Sequence, residues 1–226
     1  MELNAEPLSN FLGKYLGITQ EIVVQWMIIL VTLVGCMLLT RNLKRIPNKR
    51  QSVLEIFVET INKLVIDNMG EGYKSFIPYI GSLVIFLLGM NVTGLIGVHP
   101  PTKDLNVTLG LAVTSFAVIQ AYTIKKHGIL GYFKGYITPV GILLPINIME
   151  RIMLPVSLSL RLFGNIFAGV MIMELIYGAL FKTPLGIGQI GIPIPLHFYF
   201  DVFDASIQML IFVMLTMINI KIISEH

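Results

Sequence analysis

The sequence predicts an all-α, polytopic membrane protein with about five transmembrane helices and one amphipathic helix lying at the interface. Three observations carry this. Of 226 residues, 55% are apolar and only 13% are charged, against about a quarter charged in an ordinary soluble domain. Apolar runs long enough for a hydrocarbon core of about 30 Å, roughly 20 residues each, recur along the chain. The cations that give a formal charge of +3 mostly flank those runs, which marks them as topology signals and not as a nucleic-acid footprint.

The first predicted span covers 22–40, and RNLKRIPNKR follows it with Arg41, Lys44, Arg45, Lys49 and Arg50. The positive-inside rule puts that loop in the cytoplasm and the N-terminus outside. Before Ile22, Glu2, Glu6 and Glu21 outnumber Lys14, unlike a secretory signal, so the first span is expected to be retained. Within 51–68, Val53, Phe57, Ile61, Leu64 and Val65 share one side of a helix opposite Glu55, Glu59, Asn62 and Lys63. That is an amphipathic helix at the cytoplasmic interface. A second span, 76–98, leads to HPPTKDLN, whose paired prolines read as an external loop. The third span, 107–124, returns to Lys125, Lys126, His127 and Lys134, read as a second cytoplasmic loop.

Beyond Tyr136 helical composition runs almost unbroken over 145–181, with Pro155 inside it. At 1.5 Å per residue this is about 55 Å, which a bilayer accommodates only by tilt, kink or an interfacial stretch. The glycine- and proline-rich KTPLGIGQIGIPIP separates it from a final long helix over 196–223, with the C-terminus cytoplasmic. The whole chain reads as a single integral membrane domain.

Ionisable groups inside such helices are costly and therefore mark sites. Glu150 and Arg151 read as near-interface residues at the start of the long helix. Arg161 and Asn165, at i and i+4, project from one face, and Gly164, Ala168 and Gly169 leave room for another helix to approach. A guanidinium keeps its proton at any pH a cell reaches, so Arg161 attracts carboxylates without carrying protons. On the last helix His197, Asp201, Asp204 and Gln208 stand at i, i+4, i+7 and i+11, one polar stripe on an apolar rod. Such a stripe either lines a hydrated path or supplies buried counter-charge to Arg161. Glu174 is the remaining acid in the long helix.

PVSLSLRLFGNIFAG, IQMLIFVMLTMINI and PPTKDLNVTLGLAV together resemble subunit a of bacterial F-type ATP synthases, in that family's order and spacing, over about residues 76–220. The resemblance implies a stator in the bacterial plasma membrane that forms two ion half-channels against a ring of c subunits. It is held by peripheral-stalk b subunits within the rest of the synthase and couples flow of H⁺, or of Na⁺, to rotation and ATP synthesis. Arg161 matches the essential stator arginine, Asn165 the asparagine one turn on and Gln208 the glutamine of the last helix. Asp201 falls where relatives carry an ionisable residue, and Glu150 matches an acidic position before the arginine helix. The two last helices are expected to lie tilted around the ring. Many relatives have an acid directly after the Ala-Gly pair, where this chain has Val170; either Glu174 or Asp204 stands in for it.

Other classes fit less well. A secondary transporter or stand-alone channel would also place charges at midplane, but a transporter would more often carry internal repeats, and none is seen. An intramembrane enzyme would need a nucleophile with a base or a metal cluster, which four scattered histidines and the lone Cys36 do not provide. A purely structural assembly subunit would leave Arg161 an unexplained cost. No GxxxxGK[ST] loop is present, so the chain is not expected to be catalytic alone, nor to hold a cofactor or metal.

Overall fold

The computed structural model describes residues 19–41, 43–45, 47–98, 100–137, 141–181 and 191–225. The charge balance read for the first eighteen residues, and most of the glycine- and proline-rich loop, lie outside them. The described residues form helices and no strand. Helix α1 is Gln20–Thr40, α2 Lys49–Met69, α3 Ile77–Val92, α4 Leu105–Ile137 and α5 Leu144–Leu180. The final helix, α6, is α-helical over Pro193–His197, a π-helix over Phe198–Asp204 and α-helical again over Ala205–Glu225. Five segments are long and apolar enough to cross a membrane: Gln20–Thr40, Glu71–Ile96, Leu105–Tyr132, Leu144–Leu180 and Pro193–Ser224.

In a bilayer, lipid is as apolar as leucine, so helix association rests on close packing, small residues and hydrogen bonds. The core follows that rule. Ile80, Leu87 and Met90 of α3, Ile119 of α4, Leu162 of α5, and Met217 and Ile220 of α6 are fully enclosed. Gly89 lets α1 approach α3 so closely that a Cβ there would stand 3.0 Å from Ile28. Apart from that seam α1 is at the edge, its apolar side chains from Trp26 to Leu39 mostly exposed. The longest shared seam joins α4 to α5, and α6 lies against α3, α4 and α2.

The amphipathic reading of α2 holds for its second half. Ile61, Val65 and Met69 are buried and Phe57 and Leu64 pack beside them, while Val53 stays 68% exposed. Glu55 and Glu59 face outward.

Two segments read as loops are built differently. PPTKDLN, from Pro100 on, tucks inward: Pro101–Lys103 forms a 3₁₀ turn and Thr102 is fully buried. Paired prolines disfavour α-helix by removing donors; they do not exclude burial. Lys125, Lys126 and His127 belong to α4, and the break comes one residue later at Gly128, with φ 72° and ψ 168°, a backbone state that only glycine adopts without strain. Lys126 and His127 secure the end of α6. Lys126 Nζ donates to the Ser224 carbonyl at 2.8 Å, His127 Nε2 lies 2.8 Å from the same oxygen, and Tyr73 Oη pairs with Ser224 Oγ at 2.7 Å. Cations belong at a helix C-terminus, where carbonyls lack amide partners and the macrodipole is negative.

Helix α5 runs through Pro155 without a break and counts 37 residues, and the Pro193–Ser224 segment counts 32. At 1.5 Å per residue these reach about 55 and 48 Å, longer than a hydrocarbon core of about 30 Å.

Candidate functional site: the polar seam between the last two helices

Arg161 stands next to the midpoint of α5. Leu158 and Leu162 beside it are buried, fixing that face of the helix inward, while Arg161 itself is exposed. Among the described residues no ion pair or hydrogen bond engages it. It shares a crevice with the buried Gln208 of α6, walled by Leu158, Leu162 and Phe212. The polar stripe of α6 therefore does not neutralise the guanidinium with a carboxylate; the α6 residue that lines its crevice is an amide.

One turn along α5, Asn165 opens on a neighbouring pocket together with Val170, Asp201, Asp204 and Asn91. The absence of an acid at Val170 is thus met by two acids from the facing helix. Glu174 is exposed and in no ion pair among the described residues, whereas Asp204 shares the pocket with Val170. Glu150 is likewise exposed, and its neighbour Arg151 donates from Nη1 to Gln120 Oε1 at 3.3 Å and covers the Tyr132 ring. Those contacts tie α5 to α4 and leave Glu150 apart from the Arg161 seam.

His197, Asp201 and a residue the sequence did not single out form a relay. The Asp201 Oδ2 atom lies 2.6 Å from His197 Nδ1, and His197 Nε2 lies 3.0 Å from the hydroxyl of Tyr177 on α5. A carboxylate only accepts, so Nδ1 carries the proton toward Asp201, and in the neutral ring Nε2 then accepts from the Tyr177 hydroxyl. Both ring nitrogens are engaged. Tyr177 escaped notice because its partner is twenty residues away across a connection with no periodicity.

The π-helix reorganises the predicted stripe. Relative to an uninterrupted α-helix, one π-turn swings later residues by about 100°. Asp201 and Asp204 accordingly look into the pocket with Asn165, while Gln208 looks into the adjoining crevice with Arg161. Two glycines receive this segment. A Cβ on Gly169 would stand 3.3 Å from Phe200, and one on Gly94 would stand 2.9 Å from both Cγ and Oδ1 of Asp201. The series Tyr177, His197, Asp201, Asp204, Asn165, Gln208 and Arg161 thus runs from the start of α6 to the middle of α5. No group of three or more His, Cys, Asp or Glu residues positioned for a metal occurs among the described residues.

The family described as ATP synthase A chain matches residues 22–221. ATP synthase subunit a of Moorella thermoacetica is 35% identical over 191 residues, covering 84% of this chain and 88% of the relative. The sodium ion specific ATP synthase subunit a of Propionigenium modestum is 32% identical over 220 residues, 90% of this chain and 73% of the relative. ATP synthase subunit a 1 of Hahella chejuensis is 36% identical over 209 residues, 91% and 84%. Five apolar helices and a match over nearly the whole described chain lead to one assignment: this membrane-embedded protein belongs to the ATP synthase subunit a family.

Proposed function

We propose that the chain is the stator of the synthase's membrane sector, with Arg161 facing the carboxylates of a rotating c-ring and the α5–α6 seam forming the half-channel that opens outside. The observation that carries this reading is a fixed cation in mid-helix with no carboxylate partner among the described residues. A charge so placed is costly unless an opposite charge meets it from beyond the chain. A ring carboxylate arriving beside Arg161 is favoured in its ionised form and gives up its bound ion. The same charge repels a cation crossing straight between half-channels, so ions complete the circuit on the ring. Each elementary charge moved through about 100 mV then makes about 2.3 kcal/mol available for rotation.

Ions enter by way of Tyr177, His197, Asp201 and Asp204 and reach the ring near Asn165, with Gln208 seating Arg161. Glu150 belongs to the opposite, cytoplasmic side. The basic cluster from Arg41 to Arg50 and the cations at the end of α4 support a cytoplasmic C-terminus and an external N-terminus. Peripheral-stalk b subunits hold the chain against the turning ring. The relay of hydroxyl, imidazole and carboxylate groups suits H⁺, while a sodium-specific relative keeps Na⁺ in view.

Arg161→Ala in a fully assembled complex is expected to abolish ion-driven ATP synthesis, and Arg161→Lys to restore it only in part, because an ammonium is more strongly hydrated and able to lose its proton. Synthesis at the normal rate by the alanine variant, with assembly verified, would end the stator reading.

A further inference from the structure

Asn91 is an amide inside an apolar helix, 1% exposed, and Thr102 opposite it is fully buried. Burying such groups is tolerated only when their hydrogen bonds are made. Both are. Thr102 Oγ1 donates to Asn91 Oδ1 at 3.0 Å, and Asn91 Nδ2 donates to the backbone carbonyl of Ala205 at 3.2 Å. Ala205 is where the π-helix ends. Its own amide closes the wide turn by donating to the Phe200 carbonyl, and its side chain is 1% exposed. Ser206 Oγ donates to the Val202 carbonyl at 2.5 Å within the same stretch. The junction between π and α winding is therefore held through one buried amide, which is itself oriented by a hydroxyl from the Pro101–Lys103 turn.

We infer that Asn91, oriented by Thr102, is a positioning residue: it pins the Ala205 carbonyl at the end of the π-turn and so aims Asp201 and Asp204 into the pocket they share with Asn165. Two sites of anchorage make this more than packing. Asn91 lines that same pocket, and Gly94, three residues further on, is where the Asp201 carboxylate rests. A π-turn is a rare winding that a helix relaxes from unless something external retains it. If α6 rewinds as a plain α-helix, residues on one side of the junction swing by about 100° relative to the other, and the carboxylates no longer face the pocket while Gln208 meets Arg161. The inference rests on the reading of Asp201 and Asp204 as part of the ion path.

The test uses the complete synthase, assembled in membrane vesicles and then stripped of its soluble head, with passive H⁺ and Na⁺ flux measured per assembled complex. Asn91→Leu removes the amide at nearly constant volume, and Thr102→Val removes the hydroxyl alone. Both are expected to lower flux per complex by about tenfold or more, since displacing a reacting group by about 1 Å has effects of that order. Thr102→Ser, which restores the donor, is expected to recover most of it. Asp201→Asn and Asp204→Asn are measured alongside. If the two asparagine variants conduct normally, singly and together, the ion-path reading falls and this inference with it. If they lose flux while Asn91→Leu and Thr102→Val conduct normally, only the positioning role is overturned. Reduced yield of the Asn91 and Thr102 variants with normal flux per surviving complex likewise overturns it, leaving a clasp that serves folding alone.

Discussion

Gly94→Ala isolates the position of one carboxylate from the stability of the fold. The new methyl would lie 2.9 Å from Cγ and Oδ1 of Asp201 and 3.2 Å from Oδ2, whereas such atoms settle at about 3.5 Å or beyond. The carboxylate must retreat by about half an ångström to one ångström. What moves is the free end of a flexible side chain, so the cost to the fold is about 1 kcal/mol, that of an off-rotamer torsion. The effect on the relay is larger. The His197 Nδ1 to Asp201 Oδ2 distance of 2.6 Å would lengthen toward the limit of about 3.5 Å at which a hydrogen bond stops being one. Assembly near the normal level, with ion-driven ATP synthesis reduced about 10- to 100-fold, is expected from a misplacement of this size. Gly94→Val, with two more carbons against the same carboxylate, should be more severe. Synthesis and flux are measured in inverted vesicles, with the amount of subunit in the membrane determined by immunoblot. Undiminished synthesis by Gly94→Ala at normal yield would mean that the location of the Asp201 carboxylate has no bearing on ion transfer, and the relay argument would fail.

Two further outcomes are expected. Cysteines placed one at a time at Glu55 and Glu59, in a Cys36→Ser background, should react with a membrane-impermeant thiol reagent from the cytoplasmic side; labelling only from outside would reverse the proposed orientation. Lys126→Met should loosen the end of α6 by about 1 to 2 kcal/mol, the worth of one charge-assisted hydrogen bond, seen as earlier loss of the subunit on heating the detergent-solubilised complex, while unchanged thermal retention would show that His127 and Tyr73 suffice.

Apolar length and charge clusters made all five spans and the amphipathic helix legible, because crossing a bilayer is a demand on composition that tertiary packing cannot override. The predicted long helix at 145–181 and the observed Leu144–Leu180 differ by one residue at each end. Windings and contacts set by neighbours were hidden. Nothing in FYFDVFD distinguishes a π-turn from an α-turn; what retains it is Asn91, over a hundred residues earlier. Thr102 reads as a loop residue beside two prolines and is instead enclosed. Lys126 and His127 read as topology signals, yet they also terminate another helix, a second use that no local pattern reveals. Asp201 and Asp204 were visible as intramembrane acids, but their common pocket with Val170 required the facing helix.

The latch at Ser224 gives the molecule a direction of stiffness. Helix α5 has its longest seam with α4, and α4 grips the far end of α6 through Lys126 and His127. The three helices form a closed frame, joined at the relay between Tyr177 and His197 near one rim and at Ser224 near the other. A sideways thrust on Arg161 is therefore shared as compression and tension around the frame instead of bending a single rod. In the proposed stator role, which demands feeling torque without yielding to it, α4 is a brace placed behind the helix that carries Arg161.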